Sequence, residues 1–392
     1  MPTGNPVLID FLRETMRGRG PVSFAWFMEQ ALYHPEHGYY SSGRAAIGRG
    51  GDYFTSVSVG PLFGRLLAAQ FCEIWEALGR RAGFAIVEQG AHGGDFAHDV
   101  LTAAQRQHPD FFEALSYQIV EPFPILAARQ AAALSAFRSK VRWHDSLLRL
   151  PPFCGVHFSN ELLDAMPVHL VHWTGTEWRE RHVSVENGEF AFVNLPVTDE
   201  ALAKHLRKIP LPLPVGYETE VNLAALRWVE AVAPRMEDGV ILIADYGWPR
   251  DEFYSPARTT GTLSSYAEHQ RIPNPLTRIG EADLTAHVEW TSVAEGGAAA
   301  GLTVTRFADQ HRFITGLLAD VVGHEFNVST DEKTKRALQT LLQPSHLGMK
   351  FQFLALARDD RIVPRLSGFR FARNAETALG SDDSERKAHA GA

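Results

Sequence analysis

Residues 84–96 of this chain read FAIVEQGAHGGDF. A short apolar run ends in the acid Glu88, and the chain then turns through Gly90 and Gly94. The next residues, 97–104, suit a helix. A strand, a glycine-rich turn and a helix in this order place backbone N–H groups and a helix N-terminus beside a ligand. The stretch therefore predicts an α/β fold whose ligand site lies at this turn.

Strands and helices continue to alternate after this turn. The predicted strands cover residues 84–88, 116–121, 141–143, 154–159, 240–245, 302–307 and 351–357. The predicted helices cover residues 94–107, 123–137, 220–234, 292–300, 310–321 and 331–343. Strands interleaved with helices in this way predict a parallel sheet with helices on both faces.

The predicted organisation has three parts. Residues 1–60 form an N-terminal helical extension that ends in a site-closing loop. Residues 61–373 form the main domain, with insertions at 166–235 and 246–285. The first insertion begins with a three-stranded antiparallel meander, in which Asn187-Gly188 is a strong hairpin signal. Residues 374–392 are polar and are expected to be a disordered tail.

Composition narrows the class of protein. Hydrophobic residues make up 45% of the chain and charged residues 21%, which is ordinary for a globular enzyme. The net charge of −8 argues against a nucleic-acid partner. Two cysteines are too few for a disulfide framework or a Cys-based zinc site. The chain has no apolar run long enough to span a membrane and no recognisable leader, so we expect a cytoplasmic protein.

Two acids at strand ends indicate the kind of ligand. Glu88 ends the first strand of the sheet, and Glu121 ends the second. A carboxylate at the end of the second strand of such a sheet accepts hydrogen bonds from ribose hydroxyls, and Gly90 and Gly94 let the backbone approach a ligand closely. An acid rather than a phosphate-binding lysine favours S-adenosylmethionine over a nucleoside triphosphate. A nicotinamide cofactor would use the same strand-end acids and glycine turn, so these features do not decide between S-adenosylmethionine and a nicotinamide cofactor.

A second polar segment, residues 159–168, reads SNELLDAMPV and follows a strand that ends at the same edge of the sheet. Asn160, Glu161 and Asp164 could bind a cationic amine or guanidinium, because paired carboxylates hold and partly neutralise such a group. Methyl transfer mainly requires that the acceptor nitrogen be aimed at the methyl carbon. The alternative is that Asn160 and Asp164 cap a turn before Pro167. The two roles are compatible.

Three further segments are unusually polar for their positions. They contain Asp52, Phe54 and Thr55 before the predicted helix at 61–78, Tyr246 after the strand at 240–245, and Tyr266 and His269 in the following loop. Loops at the carboxyl ends of strands hold the site in α/β enzymes. His269, His287 and Asp283 lack the close spacing typical of metal ligands, so we expect no metal.

Several motifs occur in a fixed order between about residue 20 and residue 370. They are SFA-x-FM at 23–28, LYHPE-x-GYY at 32–40, GDYFTS at 51–56, NE-x-x-DA-x-PV at 160–168, DYG at 245–247, GTL-x-x-Y-x-x-H at 261–269 and DLTAHV at 283–288. In these motifs the chain resembles the MidA-like family of class I S-adenosylmethionine-dependent methyltransferases, whose mitochondrial members assist assembly of respiratory complex I.

The resemblance implies a Rossmann-like mixed sheet and transfer of a methyl group from S-adenosylmethionine to the guanidinium of a protein arginine. The acceptor protein is left unknown, and a respiratory-complex subunit would fit the resemblance. On this basis we assign Asp52, Phe54, Thr55, Glu88, Gly90, Gly94 and Glu121 to the cofactor, Asn160, Glu161 and Asp164 to catalysis, and Tyr246, Tyr266 and His269 to the substrate.

The glycine turn departs from the family's pattern. The family usually reads ELGPGRGTL where this chain reads EQGAHGGDF over residues 88–96. The outer glycines are retained, but His92 replaces the middle one and would need a disfavoured backbone if its φ were positive. A second hypothesis is therefore a catalytically weak or inactive assembly chaperone that docks a protein on the meander. A nicotinamide-dependent oxidoreductase is disfavoured by the missing GxGxxG spacing. A homodimer is left open.

Overall fold

The computed structural model describes residues 3–43, 56–268, 270–321, 332–343, 347–359, 362–363 and 366–380. Four residues assigned to the site from the sequence, Asp52, Phe54, Thr55 and His269, lie outside these ranges. Within them, the helices are α1 (Pro6–Arg19), α2 (Phe24–Tyr33), α3 (Leu62–Ala77), α4 (Asp95–Gln107), α5 (Pro109–Ala114), α6 (Pro124–Ala133), α7 (Glu200–Leu206), α8 (Leu223–Val232), α9 (Arg250–Phe253), α10 (Trp290–Ala299), α11 (Gln310–Val321), α12 (Glu332–Leu342) and α13 (Ala375–Leu379).

The strands within the described ranges are β1 (Val22–Ser23), β2 (Phe84–Gln89), β3 (Leu115–Val120), β4 (Val141–His144), β5 (Phe153–Asn160), β6 (His169–Trp173), β7 (Trp178–Glu186), β8 (Glu189–Pro196), β9 (Glu218–Val221), β10 (Met236–Trp248), β11 (Ser264–Ala267), β12 (Gln270–Arg271), β13 (Asp283–Thr285), β14 (Val288–Glu289), β15 (Thr303–Asp309), β16 (Phe351–Ala357) and β17 (Arg373–Asn374). No helix among the described residues has the length and apolar character needed to cross a membrane.

The central sheet is mixed. Its strand order is β4-β3-β2-β5-β10-β16-β15-β17, and β14 pairs with the end of β10. The five strands from β4 to β10 are parallel to their neighbours. β16 runs antiparallel to both β10 and β15. This arrangement confirms the prediction of a Rossmann-like mixed sheet.

Helices cover both faces of this sheet because its inner strands are apolar on both faces. Ile86, Phe158 and Leu242 belong to a core shared with α3, α4 and α11. Their neighbours Val87 and Ile241 belong to a second core shared with α8 and α10. The two cores hold the strand ends in place relative to one another. The site is built at these strand ends.

The inserted meander is confirmed and is larger than predicted. β6, β7 and β8 are joined by β1 and β9 into a five-stranded sheet, against which α1 and α2 pack. Asn187 and Gly188 both have positive φ, 52° and 83°, as a two-residue type I′ hairpin requires. The two additional strands have only two and four residues, too few to show a periodic pattern.

Residues 374–380, the first part of the expected tail, are folded. β17 pairs with β15, and α13 buries Ala375 and Leu379 in the second core. These two apolar side chains explain why the first part of the expected tail is folded. Residues 381–392 lie outside the described ranges.

Candidate active site

A cavity of about 1050 Å³ opens at the edge where the parallel strands end. Gln89 at the end of β2 lies opposite Val120 of β3 and Ser159 of β5. The residues that follow these positions therefore share one level of the sheet. They are Gly90, Glu121 and Asn160, and all three line the cavity. The sheet thus brings together segments that are far apart in the sequence.

Acidic side chains outnumber basic ones in the described part of the cavity wall. Six lining residues are acidic, whereas one, Arg129, is an arginine. The acidic residues are Glu29, Glu88, Asp95, Asp99, Glu121 and Glu161. Such a wall favours a cationic ligand, and the volume is sufficient for a nucleoside together with an acceptor side chain.

Glu88 is buried at the end of β2, and its Oε2 accepts a hydrogen bond from the Tyr117 hydroxyl at 2.8 Å. Burial raises the pKa of Glu88 to about 7, although the bond from Tyr117 acts in the opposite direction. A carboxylate has about four lone-pair sites. The single bond from Tyr117 therefore leaves acceptor capacity for donors on a ligand.

The glycine turn contains three left-handed residues. Gly90, His92 and Gly94 have φ values of 84°, 43° and 87°. Gly90 and His92 line the cavity, whereas Gly94 is not among the described lining residues. Gly94 precedes α4, and a Cβ at this position would lie 3.4 Å from the Cα of Gln130 on α6. Gly94 therefore faces α6 and not the cavity, and its φ of 87° is what favours glycine here.

Glu121 is held by two hydrogen bonds. Its Oε1 accepts the backbone N–H of Phe123 at 2.9 Å, and its Oε2 accepts from Nε2 of Gln130 at 2.8 Å. Burial raises the pKa of Glu121, and both hydrogen bonds oppose this rise. Each oxygen keeps a further lone pair, so Glu121 can still accept from a ligand in the cavity.

The segment after β5 turns sharply at Glu161, whose φ is 53° and whose N–H donates to Ala244 O at 3.0 Å. Nδ2 of Asn160 donates to Glu161 Oε1 at 2.8 Å. The other oxygens, Asn160 Oδ1 and Glu161 Oε2, are buried without a hydrogen-bond partner among the described residues. The backbone N–H of Ser56 also lies near the Glu161 carboxylate and acts to lower its pKa. Because buried polar atoms are normally paired, these two acceptors indicate that a ligand donor belongs here.

A buried carboxylate cluster, Glu161, Asp164 and Asp245, surrounds this turn. Burial raises the pKa of Asp245 to about 7, and burial followed by mutual repulsion raises the pKa of Glu161 and Asp164 well above their usual values. None of the three takes part in an ion pair within the described ranges. Asp164 and Asp245 lie behind the cavity wall, and only Glu161 lines it.

Aromatic residues complete the wall, and two of them, Tyr33 and Tyr40, belong to the N-terminal extension. Tyr33, Tyr40 and Phe123 line the cavity, and the Tyr33 ring lies nearly parallel to that of Phe123, with ring centroids 6.3 Å apart. The Tyr33 hydroxyl donates to Ala165 O at 2.9 Å, and the Tyr40 hydroxyl donates to Asp283 Oδ1 at 2.7 Å. Aromatic faces attract cations. We did not single out these residues from the sequence, although both tyrosines belong to the LYHPE-x-GYY motif.

Tyr246 and Tyr266 lie beside the carboxylate cluster and are not among the described lining residues. The Tyr246 ring packs on Phe351, with centroids 4.0 Å apart. Burial raises the pKa of its hydroxyl, and the negative charge of Glu161 raises it further. Tyr266 lies opposite Asp283 in the β11–β13 pair. Within the described ranges, no group of three His, Cys, Asp or Glu could hold a metal ion.

These residues fit S-adenosylmethionine. The ligand carries a positive sulfonium and amine, which match the acidic wall, and ribose hydroxyls, which match Glu121. Gly90 lets the backbone reach the ligand, because its φ of 84° is one that side-chain-bearing residues rarely adopt. The unpaired oxygens of Asn160 and Glu161 remain for hydrogen-bond donors of the ligand or the acceptor.

Comparison with known proteins agrees with this fit. Residues 66–308 match the model of a family described as S-adenosyl-L-methionine-dependent methyltransferases. A protein from Burkholderia thailandensis, crystallised with S-adenosyl-homocysteine bound, is 31% identical, with a TM-score of 0.85 over 96% of this chain and 100% of that chain. The mitochondrial protein arginine methyltransferase NDUFAF7 of Homo sapiens is 26% identical over 95% of this chain and 88% of its own. Its Drosophila melanogaster homolog is 27% identical, covering 90% and 85%.

The strand order, the antiparallel β16 and the acidic cavity at the strand ends define a class I methyltransferase. More narrowly, the chain belongs to the MidA-like family of S-adenosylmethionine-dependent methyltransferases, because the family's model covers more than half of it. S-adenosylmethionine is its cofactor.

Proposed function

We propose that this methyltransferase acts on the guanidinium of a protein arginine. The observation that carries the proposal is the cluster of Glu161, Asp164 and Asp245, buried without an ion-pair partner in the described ranges. A guanidinium is always positively charged and presents planar N–H donors to carboxylates. It would satisfy Glu161 Oε2 and offset the repulsion within the cluster. The names of the human and Drosophila relatives support the same acceptor.

The cofactor would be held by Glu88, Gly90 and Glu121, and when bound it supplies an electrophilic methyl group on a sulfonium. Glu121 accepts hydrogen bonds from ribose hydroxyls, and Glu88 accepts from donors elsewhere on the ligand. The rings of Tyr33 and Phe123 present apolar faces to positive charge. Gly94 precedes α4 and is not among the described residues that line the cavity. The closing role of Asp52, Phe54 and Thr55 and the substrate role of His269 remain predictions.

The acceptor would be oriented by Asn160 Oδ1 and Glu161 Oε2, which accept its N–H groups. Orientation is the main requirement, because methyl transfer is an in-line displacement at a methyl carbon. A methylated guanidinium nitrogen must lose one proton. The raised pKa of Glu161 suits its Oε2 to take that proton. Asp164 and Asp245 would act behind Glu161 by keeping this pKa high.

A labelling experiment tests the acceptor. Lysate of host cells that lack this protein is incubated with tritiated S-adenosylmethionine and the purified enzyme, and labelled proteins are hydrolysed to amino acids. We expect label in methylarginine, loss of label with E161Q, and normal label with E36Q, a matched change at a mostly exposed side chain. Label found in another amino acid, or unchanged labelling by E161Q, would contradict the proposal.

The chaperone alternative rests on the altered turn. In the structure a hydrogen bond from the N–H of Gly94 to Ala91 O, 2.8 Å long, closes this turn. His92 lines the cavity without filling it, since about 1050 Å³ is left for a ligand. These observations support a catalytic role. The identity of the labelled protein would also show whether the acceptor is a respiratory-complex subunit. The cytoplasmic location and the oligomeric state remain predictions, and the human and Drosophila relatives are named as mitochondrial.

A further inference from the structure

Gln130 connects three parts of the cofactor site through a single side chain. It lies on α6 and is fully buried. Its Nε2 donates to Glu121 Oε2 at 2.8 Å and to the carbonyl oxygen of His92 at 3.0 Å. Its Oε1 accepts from Nε1 of Trp143 on the edge strand β4 at 3.0 Å. Both amide hydrogens and the amide oxygen are therefore used.

The orientation of this amide follows from its partners. An indole N–H can only donate, so the oxygen of Gln130 must face Trp143. The NH₂ group must then face Glu121 and the turn, both of which offer acceptors. A flipped amide would oppose donor to donor on one side and acceptor to acceptor on the other. Trp143 thus fixes the direction in which Gln130 donates.

The bond to the turn falls at its least favourable residue. His92 adopts φ 43°, a conformation that glycine adopts freely and that other residues adopt at a cost. The family's pattern has glycine at this position, whereas this chain supplies a donor to the carbonyl of the same residue. Gly94 packs against the same side chain, since a Cβ at its position would be in van der Waals contact with Gln130 atoms 3.4–3.6 Å away.

We propose that Gln130 is a positioning residue that holds the turn at His92 in its left-handed conformation and aims the Glu121 carboxylate at the ribose of the cofactor. One amide thus replaces the conformational freedom of a glycine and fixes the ribose acceptor at the same time. The inference rests on the role proposed above for Glu121, and it adds a residue that need not touch the ligand.

The test measures dissociation constants for S-adenosylhomocysteine by calorimetry, without any acceptor. Q130M keeps the size of the side chain and removes its hydrogen bonds. We expect its affinity to fall about tenfold to a hundredfold, because a donor to a charged group is lost. Q70M is the matched control, since Gln70 is also fully buried and lies outside the cavity wall. It should lower the melting temperature and leave the affinity within about twofold.

Two further readouts separate positioning from packing. In the Q130M background, H92G should recover part of the lost affinity, because a glycine at this position does not need the hydrogen bond from Gln130. In the wild-type background, H92G should change the affinity less. A 2′,3′-dideoxy analogue of S-adenosylhomocysteine should lose less affinity in Q130M than the parent ligand does. Wild-type affinity in folded Q130M, equal effects of H92G in both backgrounds, or equal losses for both ligands would overturn the proposal.

Two other variants keep the outcomes distinct. If Q130M does not fold, W143F removes the N–H that orients the amide, together with one ring of a partly buried side chain. The same coupling to H92G is expected at a smaller size. Wild-type affinity in W143F would then overturn the proposal.

E121Q tests the role of Glu121, on which the inference rests. If E121Q binds normally, the role of Glu121 is wrong. If E121Q binds weakly while Q130M binds normally, only the role of Gln130 is wrong.

Discussion

The carboxylate of Asp245 accepts the backbone N–H of Leu163 at 2.9 Å, and this bond joins the end of β10 to the segment that follows β5. The same oxygen accepts the N–H of Asp164 at 3.3 Å, and the other oxygen accepts that of Tyr246 at 2.8 Å. Asp245 is fully buried. The backbone that carries Glu161 into the cavity is therefore held by a residue that does not itself line it.

Replacing Asp245 by Asn should impair methyl transfer more than cofactor binding. The amide keeps one acceptor oxygen and turns an NH₂ group toward backbone donors, so at least one of the three bonds is lost. We expect kcat to fall about tenfold to a hundredfold. The affinity for S-adenosylhomocysteine should change less than about threefold, since Glu88, Gly90 and Glu121 lie at the ends of β2 and β3.

The matched control for this prediction is D238N at the other end of β10. Asp238 forms an ion pair with Arg81 at 3.1 Å and is about one quarter exposed. D238N should leave both kcat and the affinity for S-adenosylhomocysteine near their wild-type values. Equal losses of kcat and of cofactor affinity in D245N would indicate that Asp245 supports the whole sheet edge instead of the acceptor segment.

Glu88 should reduce stability near neutral pH, and E88Q should relieve this. The folded-state pKa of about 7 lies above the usual value, so the folded protein binds more protons than the unfolded chain between these values. Its contribution to the free energy of unfolding therefore falls as pH rises from about 4.5 to 7. E88Q can still accept from Tyr117 and carries no charge. Above pH 7 it should be more stable by about 3 kcal/mol at most.

The measurement is urea unfolding of the ligand-free protein at pH 5 and pH 8. E88Q should gain stability at pH 8 only, and its affinity for S-adenosylhomocysteine should fall if Glu88 accepts from the ligand. A gain of the same size at both pH values would show that charge at Glu88 is not the cause.

The sequence was sufficient for the fold and for the edge of the sheet at which the site lies. Alternation of strands and helices predicted a parallel sheet, which is correct for β4 to β10, whereas the antiparallel β16 was implied only by the family resemblance. The acids at strand ends predicted that Glu88 and Glu121 lie at the same edge of the sheet. It did not reveal Gln130 or Asp245 as organisers. Both act through hydrogen bonds to segments more than 30 residues away, at His92 and Leu163, and pairing over such distances leaves no local pattern.

Methyl transfer should accelerate as pH rises through neutrality. Burial and mutual repulsion raise the pKa of Glu161, Asp164 and Asp245, so the cluster is partly protonated at neutral pH and binds a guanidinium better once ionised. With saturating cofactor, kcat/KM for the labelled acceptor should rise up to about tenfold per pH unit and then level off, with an apparent pKa that belongs to the cluster. A guanidinium does not titrate in this range, so the acceptor itself cannot produce the rise.

E161Q provides the comparison for this profile. It removes one member of the cluster, so its residual activity should depend less steeply on pH. A profile that stayed flat in the wild type, or that kept the same slope in E161Q, would contradict the assignment of the rise to these carboxylates.

His157 on β5 should be replaceable with a gain in stability. It is fully buried, neither ring nitrogen has a hydrogen-bond partner among the described residues, and its ring packs edge-on against Trp228 with centroids 5.3 Å apart. Leu is close in volume and has no polar atoms. H157L should therefore raise the free energy of unfolding by about 1–3 kcal/mol at pH 8, because two unpaired polar atoms are removed.

The gain from H157L should increase in acid. Burial lowers the pKa of His157 to about 3, so the unfolded chain takes up a proton below about pH 6.5 while the folded protein does not. The wild type therefore loses stability from this residue as pH falls from 6.5 toward 3, and H157L lacks that loss. Urea unfolding at pH 8 and pH 5 checks the prediction, with H98F at a half-exposed side chain as the control. If H157L were less stable than the wild type at pH 8, His157 would have a partner, such as a buried water, whose loss outweighs the relief of burial.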